Sequence, residues 1–129
     1  MDPAQRDQFK QAVFRYEPFP ADWPAEFAII TAYDPEGRVT AAAANVAADA
    51  ELAAELRSAG YALHRVTGGS ADQTHVEPGW AAPLGQAGAV EFGRRYGQLA
   101  VFYVRKGELS LVDCADGSSE PMGRQLRAF

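Results

Sequence analysis

The chain has 129 residues, 47% of them hydrophobic and 22% charged, with a net charge of −5. That length fits one domain, 1–129, which can bury about two thirds of its unfolded surface without disulfides or a structural metal. The acidic balance argues against nucleic acid as a partner, because phosphate binding needs a clustered excess of Lys and Arg. Cys114 is the single cysteine, so an intramolecular disulfide is excluded, and the residue reads as a half-buried structural thiol. No run of about 18 apolar residues occurs, so no membrane-spanning helix and no membrane partner are expected. The opening "MDPAQRDQFKQ" is polar and carries acids, unlike a secretory leader, and a cytoplasmic location is the expectation.

In chain order, "DPAQRDQFKQAVFRY" predicts an N-terminal docking helix over residues 2–16. Asp2 is its N-cap, Pro3 takes the first helical position, and Phe9, Val13 and Tyr16 form one stripe. "EPFPADWP" holds three prolines in eight residues and reads as an extended linker. "FAIITAY", residues 27–33, is a nearly continuous apolar run, as expected of a strand covered on both faces.

A loop opens at "DPEG", and Asn45 is the expected N-cap of a helix from Val46 to Ala59. Leu52 and Leu56 stand at i, i+4, and Gly60 is the stop. "YALHRVT" resumes as a strand. Strand, helix and strand together predict a βαβ unit with its two strands parallel. "GGSADQT" has turn composition and returns the chain antiparallel into "HVE", where Pro78 and Gly79 suit an edge or a bulge.

A further helix is expected over about 87–96. "QLAVFYV-RKGE-LSLVDC" reads as a hairpin turning at Lys106-Gly107, with Arg105 facing Glu108. The tail, 115–129, is polar and turn-rich until "RQLRAF", and reads either as a short docked segment or as frayed chain. The predicted class is α+β: a mixed five-stranded sheet containing one βαβ unit and a C-terminal β-hairpin, packed by two or three helices.

Several short elements stand out along this path: "TAYDP" at residues 31–35, Asn45 before a Leu-rich helix, "EP" at Glu77-Pro78, and "FGRRYGQLAVF" at residues 92–102. On these the chain resembles an uncharacterised bacterial domain-of-unknown-function family, family 3293, over roughly residues 25–105. The chain departs from the family pattern at Asp34, where the pattern has Asn, so an amide-specific hydrogen bond is not expected there. The resemblance implies no activity. It adds weight to Thr31, Asn45, Glu77 and Gln98.

The segment "TGGSADQTHVEPGWAAPL" carries the most suggestive chemistry, a His75-x-Glu77 pair. A His-x-Glu pair also begins the zinc-deaminase signature, but the Pro-Cys-x-x-Cys that completes it is absent. A zinc site built on both histidines needs His64, His75 and a carboxylate to converge, and no metal or other cofactor is expected. Neither a Gly-x-Ser-x-Gly elbow nor a Gly-x-x-x-x-Gly-Lys loop occurs.

Position favours one constellation. A crevice outside the carboxyl ends of parallel strands is where α/β units take ligands. The expected topology brings Thr31, Tyr33, Asn45, Glu77 and Gln98 to that edge. Glu77, rather than His75, is then the expected catalytic residue, as general base or as acceptor for a hydroxyl or amine. Thr31, Asn45 and Gln98 orient a small polar ligand, and Tyr33 and Trp80 wall it. The same sequence also admits a non-catalytic module that binds a protein partner through Trp80, the hairpin and the docking helix. Enzyme or binding domain stays open between these two readings.

Overall fold

The computed structural model describes residues 1–126 of the chain. Helix α1 is Pro3–Lys10. The Asp2 carboxylate accepts from the Gln5 backbone at 2.8 Å, and the Gln5 side chain accepts from the Asp2 backbone at 2.9 Å. This reciprocal cap satisfies two of the helix's orphan donors. The helix is shorter than the expected 2–16, because residues Val13–Arg15 form an edge strand, β1. Three apolar residues at helical spacing conceal that break in the sequence.

Strand β2 is Glu26–Thr31, helix α2 is Ala42–Ser58, β3 is His64–Gly69 and β4 is Val76–Ala82. Helix α3, Gln86–Arg95, precedes β5 (Ala100–Arg105), β6 (Glu108–Asp113) and β7 (Ser119–Gln125). The described strands form one seven-stranded sheet in the order β1-β3-β4-β2-β5-β6-β7, and it curves into a half-barrel.

This overturns the expected mixed five-stranded sheet ending in a simple hairpin. Every pairing is antiparallel. Strands β2 and β3 do point the same way, since each runs antiparallel to β4, but β4 lies between them. The same holds for β4 and β5, separated by β2. Two split βαβ units therefore interlock, and β2-α2-β3-β4-α3-β5 has the ferredoxin-like arrangement. Strand β1 extends one edge, and β6 with β7 extends the other.

Pro78 and Gly79 lie inside the sheet, not on an edge, and local geometry explains how. The β2–β4 ladder stops at Thr31 opposite Gly79, so Pro78 meets no β2 residue. The N and C=O of one strand residue face the same neighbour, so Pro78's missing donor falls where the ladder has ended. Its carbonyl accepts from Thr31 Oγ1 at 2.7 Å instead. A Cβ on Gly79 would sit 2.7 Å from the Ile30 carbonyl oxygen, so the close approach of β2 requires glycine.

Two apolar layers follow from the period of 2 along each strand. On one face Ala28, Ile30, Ala82, Val101 and Tyr103 pack under Leu52, Leu56 and Val90 of α2 and α3. On the other, Phe27, Ile29, Val66, Ala81, Val104 and Leu109 pack with Phe19. Helix α1 belongs to this second face. Arg6 and Lys10 hold Glu120 of β7 at 3.3 and 3.0 Å, and Arg6 also holds Asp113 of β6 at 3.2 Å. Arg124 donates to the carbonyls of Lys10 and Ala12. The tail from Ala115 thus supplies an edge strand as far as Gln125, while residues 127–129 of the expected tail lie outside the described residues.

Candidate functional site

Between α1 and the second face of the sheet lies a cavity of about 410 Å³. Its apolar part comes from Phe9, Phe14, Ile29, Val66, Leu99 and Phe102. Phe102 is the hub, with its ring 6.3 Å from that of Phe9 and 4.9 Å from that of Phe14. Space remains because the neighbouring strand positions on this face are Gly68 and Gly79, which carry no side chain into it.

One end of the cavity is polar. Asp34, His75 and Glu77 meet there, with their ligand-type atoms all within 4.8 Å of one another. His75 Nε2 stands 3.8 Å from both Asp34 Oδ2 and Glu77 Oε1. The side chain of Asp34 is 11% exposed and that of Glu77 23%, whereas His75 is 52% exposed. Burial pushes the Glu77 carboxyl above its ordinary range and Asp34 adds to that, while His75 opposes it.

Asp34 reaches the cluster from a left-handed backbone conformation, φ 48° and ψ 61°, which Asp tolerates better than most residues. Its Oδ1 accepts from Asn45 Nδ2 at 2.9 Å and from the Thr40 backbone at 3.0 Å. Its own backbone N–H donates to Asn45 Oδ1 at 3.0 Å. Asn45 is therefore not the N-cap expected from the sequence. Helix α2 starts at Ala42, and Asn45 is a buried residue of its first turn that clamps the preceding loop. Each of these bonds to the Asp34 side chain is an accepting one at Oδ1, which an Asn carbonyl oxygen would also make.

The other expected site residues divide in two. Thr31 and Glu77 line the cavity. Thr31 Oγ1 is already engaged, donating to Pro78 O and accepting from the Tyr33 backbone at 3.0 Å. Gln98 donates to the carbonyls of Tyr33 at 3.1 Å and Tyr96 at 3.2 Å, so it ties the β2–α2 loop to the α3–β5 loop. Tyr33 contributes backbone to this tie and does not line the cavity. Trp80 packs on the helix-covered face, under Arg57 of α2, opposite the cavity. His64 does not join His75: its Nε2 is 2.8 Å from Glu17 O, and its ring packs on Phe19. Sequence reasoning missed Asp34 as a site residue. The one signal was its departure from the family pattern.

Fold and site together define an α+β domain with a ferredoxin-like core and an ionisable cluster at the mouth of an apolar cavity. Residues 30–101 match the model of the family described as "Protein of unknown function (DUF3293)", and the chain belongs to that family. The matched stretch contains Thr31, Asp34, Asn45, His75, Glu77 and Gln98, whereas α1, which covers the cavity, lies outside it. No curated protein and no solved structure matches the chain. Among the described residues, no helix is long and apolar enough to cross a membrane.

Proposed function

We propose that the chain binds or processes a small ligand in the cavity between α1 and the sheet. The ligand has an apolar body, held among Phe9, Phe14 and Phe102, and a polar end at Glu77. The carrying observation is that Asp34 joins His75 and Glu77, some forty residues further along the chain, at one end of a 410 Å³ space with an apolar body. Pockets of this kind, mostly apolar with a few convergent polar groups, are the usual form of small-molecule sites. Glu77 accepts a hydroxyl or amine of the ligand. Asn45 and Gln98 act one step back, Asn45 by fixing Asp34 and Gln98 by fixing the loop that carries it.

A thermal-shift screen of small metabolites, run both in EDTA and with added Zn²⁺, tests this reading. It expects at least one ligand whose stabilisation is lost in Glu77→Gln and in Gly68→Val, which fills the cavity floor. No shift in either condition, or a shift that survives both substitutions, would end it.

A further inference from the structure

The polar end of the cavity carries an unbalanced charge. Asp34 and Glu77 bring two carboxylates together beside one imidazole, and among the described residues no Lys or Arg pairs with either of them. Two negative charges this close repel each other, and a cation between them turns that repulsion into attraction. We propose that Asp34 Oδ2, His75 Nε2 and Glu77 Oε1 hold one first-row divalent metal ion, with its remaining coordination positions open to the cavity. The proposal rests on the cavity being the functional site, and it names the group that meets the ligand's polar end.

The geometry is close to what such an ion requires. His75 Nε2 lies 3.8 Å from Asp34 Oδ2 and from Glu77 Oε1, and one ligand atom from each residue lies within 4.8 Å of the other two. Three such atoms lie at most about 2.8 Å from a common centre, against about 2.0–2.2 Å in zinc–nitrogen and zinc–oxygen bonds. Around a tetrahedral ion the ligand atoms stand about 3.3 Å apart, so His75 must close by about half an ångström and the two carboxylates by up to about 1.5 Å, distances that rotation of the Asp34, His75 and Glu77 side chains spans.

The surroundings supply the outer contacts that orient metal ligands. Asn45 and Thr40 occupy Oδ1 of Asp34, leaving Oδ2 for the ion. Ser70 holds the His75 backbone on both sides, donating from its N–H to His75 O at 2.9 Å and accepting from His75 N at 3.1 Å. Glu77 projects from β4, which is flanked by β3 and β2.

One imidazole and two carboxylates suit Zn²⁺, Fe²⁺ or Mn²⁺ better than the soft ions that thiolates select. Three protein ligands with open positions is also the form of reactive rather than purely structural sites. The polar end of the cavity's ligand is then an oxygen donor that also carries a proton for Glu77 to accept, such as a hydroxyl group.

Zn²⁺ titration of the chelator-treated full chain by calorimetry, without any organic ligand, tests the site, with Mn²⁺ as a second probe. The expected result is one Zn²⁺ per chain, with affinity lowered at least about tenfold in Asp34→Asn, His75→Gln and Glu77→Gln and unchanged in His64→Gln. Asp34→Asn keeps both bonds at Oδ1, so circular dichroism should report a folded variant. No saturable Zn²⁺ uptake by the folded chain, uptake that survives all three ligand substitutions, or uptake lost in His64→Gln overturns the proposal. Since no organic ligand is present, that failure leaves the cavity reading to be judged by the metabolite screen alone.

Discussion

The Asn45 side chain and Asp34 exchange two hydrogen bonds: Asn45 Nδ2 donates to Asp34 Oδ1 at 2.9 Å, and Asp34 N donates to Asn45 Oδ1 at 3.0 Å. This pair fixes a loop whose backbone is left-handed at both Asp34 and Glu36. Strained conformations of this kind persist only where the surroundings over-determine them. Asn45→Ala should therefore destabilise the protein by about 1–3 kcal/mol, since a buried donor and acceptor lose their partner. Asp34→Asn should change stability by less than about 1 kcal/mol, because each accepting bond at Oδ1 remains available. Urea unfolding of the two variants measures this contrast directly.

Thr31 offers a second test of how the site is framed. Its hydroxyl closes the β2–β4 ladder at Pro78 and also accepts from Tyr33 N. Thr31→Val keeps the shape and β-propensity of the side chain but leaves both backbone groups without that partner. A loss of about 1–3 kcal/mol is expected in denaturant unfolding, with Thr31→Ser retaining most of the stability.

Strand identity was easier to read in the sequence than strand order. The apolar run of β2 follows from cover on both faces, and Lys106-Gly107 turns the chain with φ of 51° and 83°, the sign that a two-residue hairpin loop needs. Nothing local places β4 between β2 and β3. Pro78-Gly79 argued for an edge, and that argument fails because the β2–β4 ladder ends at Gly79, where proline's missing donor costs no bond and its carbonyl accepts from Thr31 Oγ1. At the site, Glu77 could be singled out from its own neighbours in sequence. Asp34 could not, because its turn composition gave a sufficient local reason for it, and its approach to His75 exists only once β4 is inserted beside β2.

Cys114 should be chemically silent in the folded protein. It is 3% exposed, and burial, reinforced by the Asp113 carboxylate, pushes its thiol up to about 11 while Arg94 opposes the shift. A thiol reagent at pH 8 should label it only after denaturant is added. The folded value lies above the unfolded one of about 8.5, so the neutral thiol's contribution to stability is complete below that value. It is lost as pH rises toward 11. Urea midpoints at pH 8 and pH 10.5 should show this loss in the native chain, and a smaller one in Cys114→Ala. Rapid labelling of the folded chain at pH 8 would contradict the burial argument.

Arg65 and Trp80 are paired across β3 and β4, and the Arg65 guanidinium carbon lies 3.6 Å from the centroid of the indole. The same guanidinium grips Asp49 of α2 with two bonds, at 2.8 and 2.9 Å, and donates to Gly79 O at 3.2 Å. Stacking and the two-pronged grip both depend on a flat, forked cation, which lysine cannot imitate. Arg65→Lys should therefore lower stability by about 1–3 kcal/mol. Among the described residues Trp80 Nε1 has no hydrogen-bond partner although it is buried. Trp80→Phe keeps a ring face for Arg65 and removes that unpaired donor, so its stability should stay within about 1 kcal/mol of the native chain. Because Trp80 sits on the face away from the cavity, Trp80→Phe should also leave Zn²⁺ affinity and any ligand-induced thermal shift unchanged. Loss of ligand binding in Trp80→Phe, with stability intact, would instead move the site to the helix-covered side of the sheet.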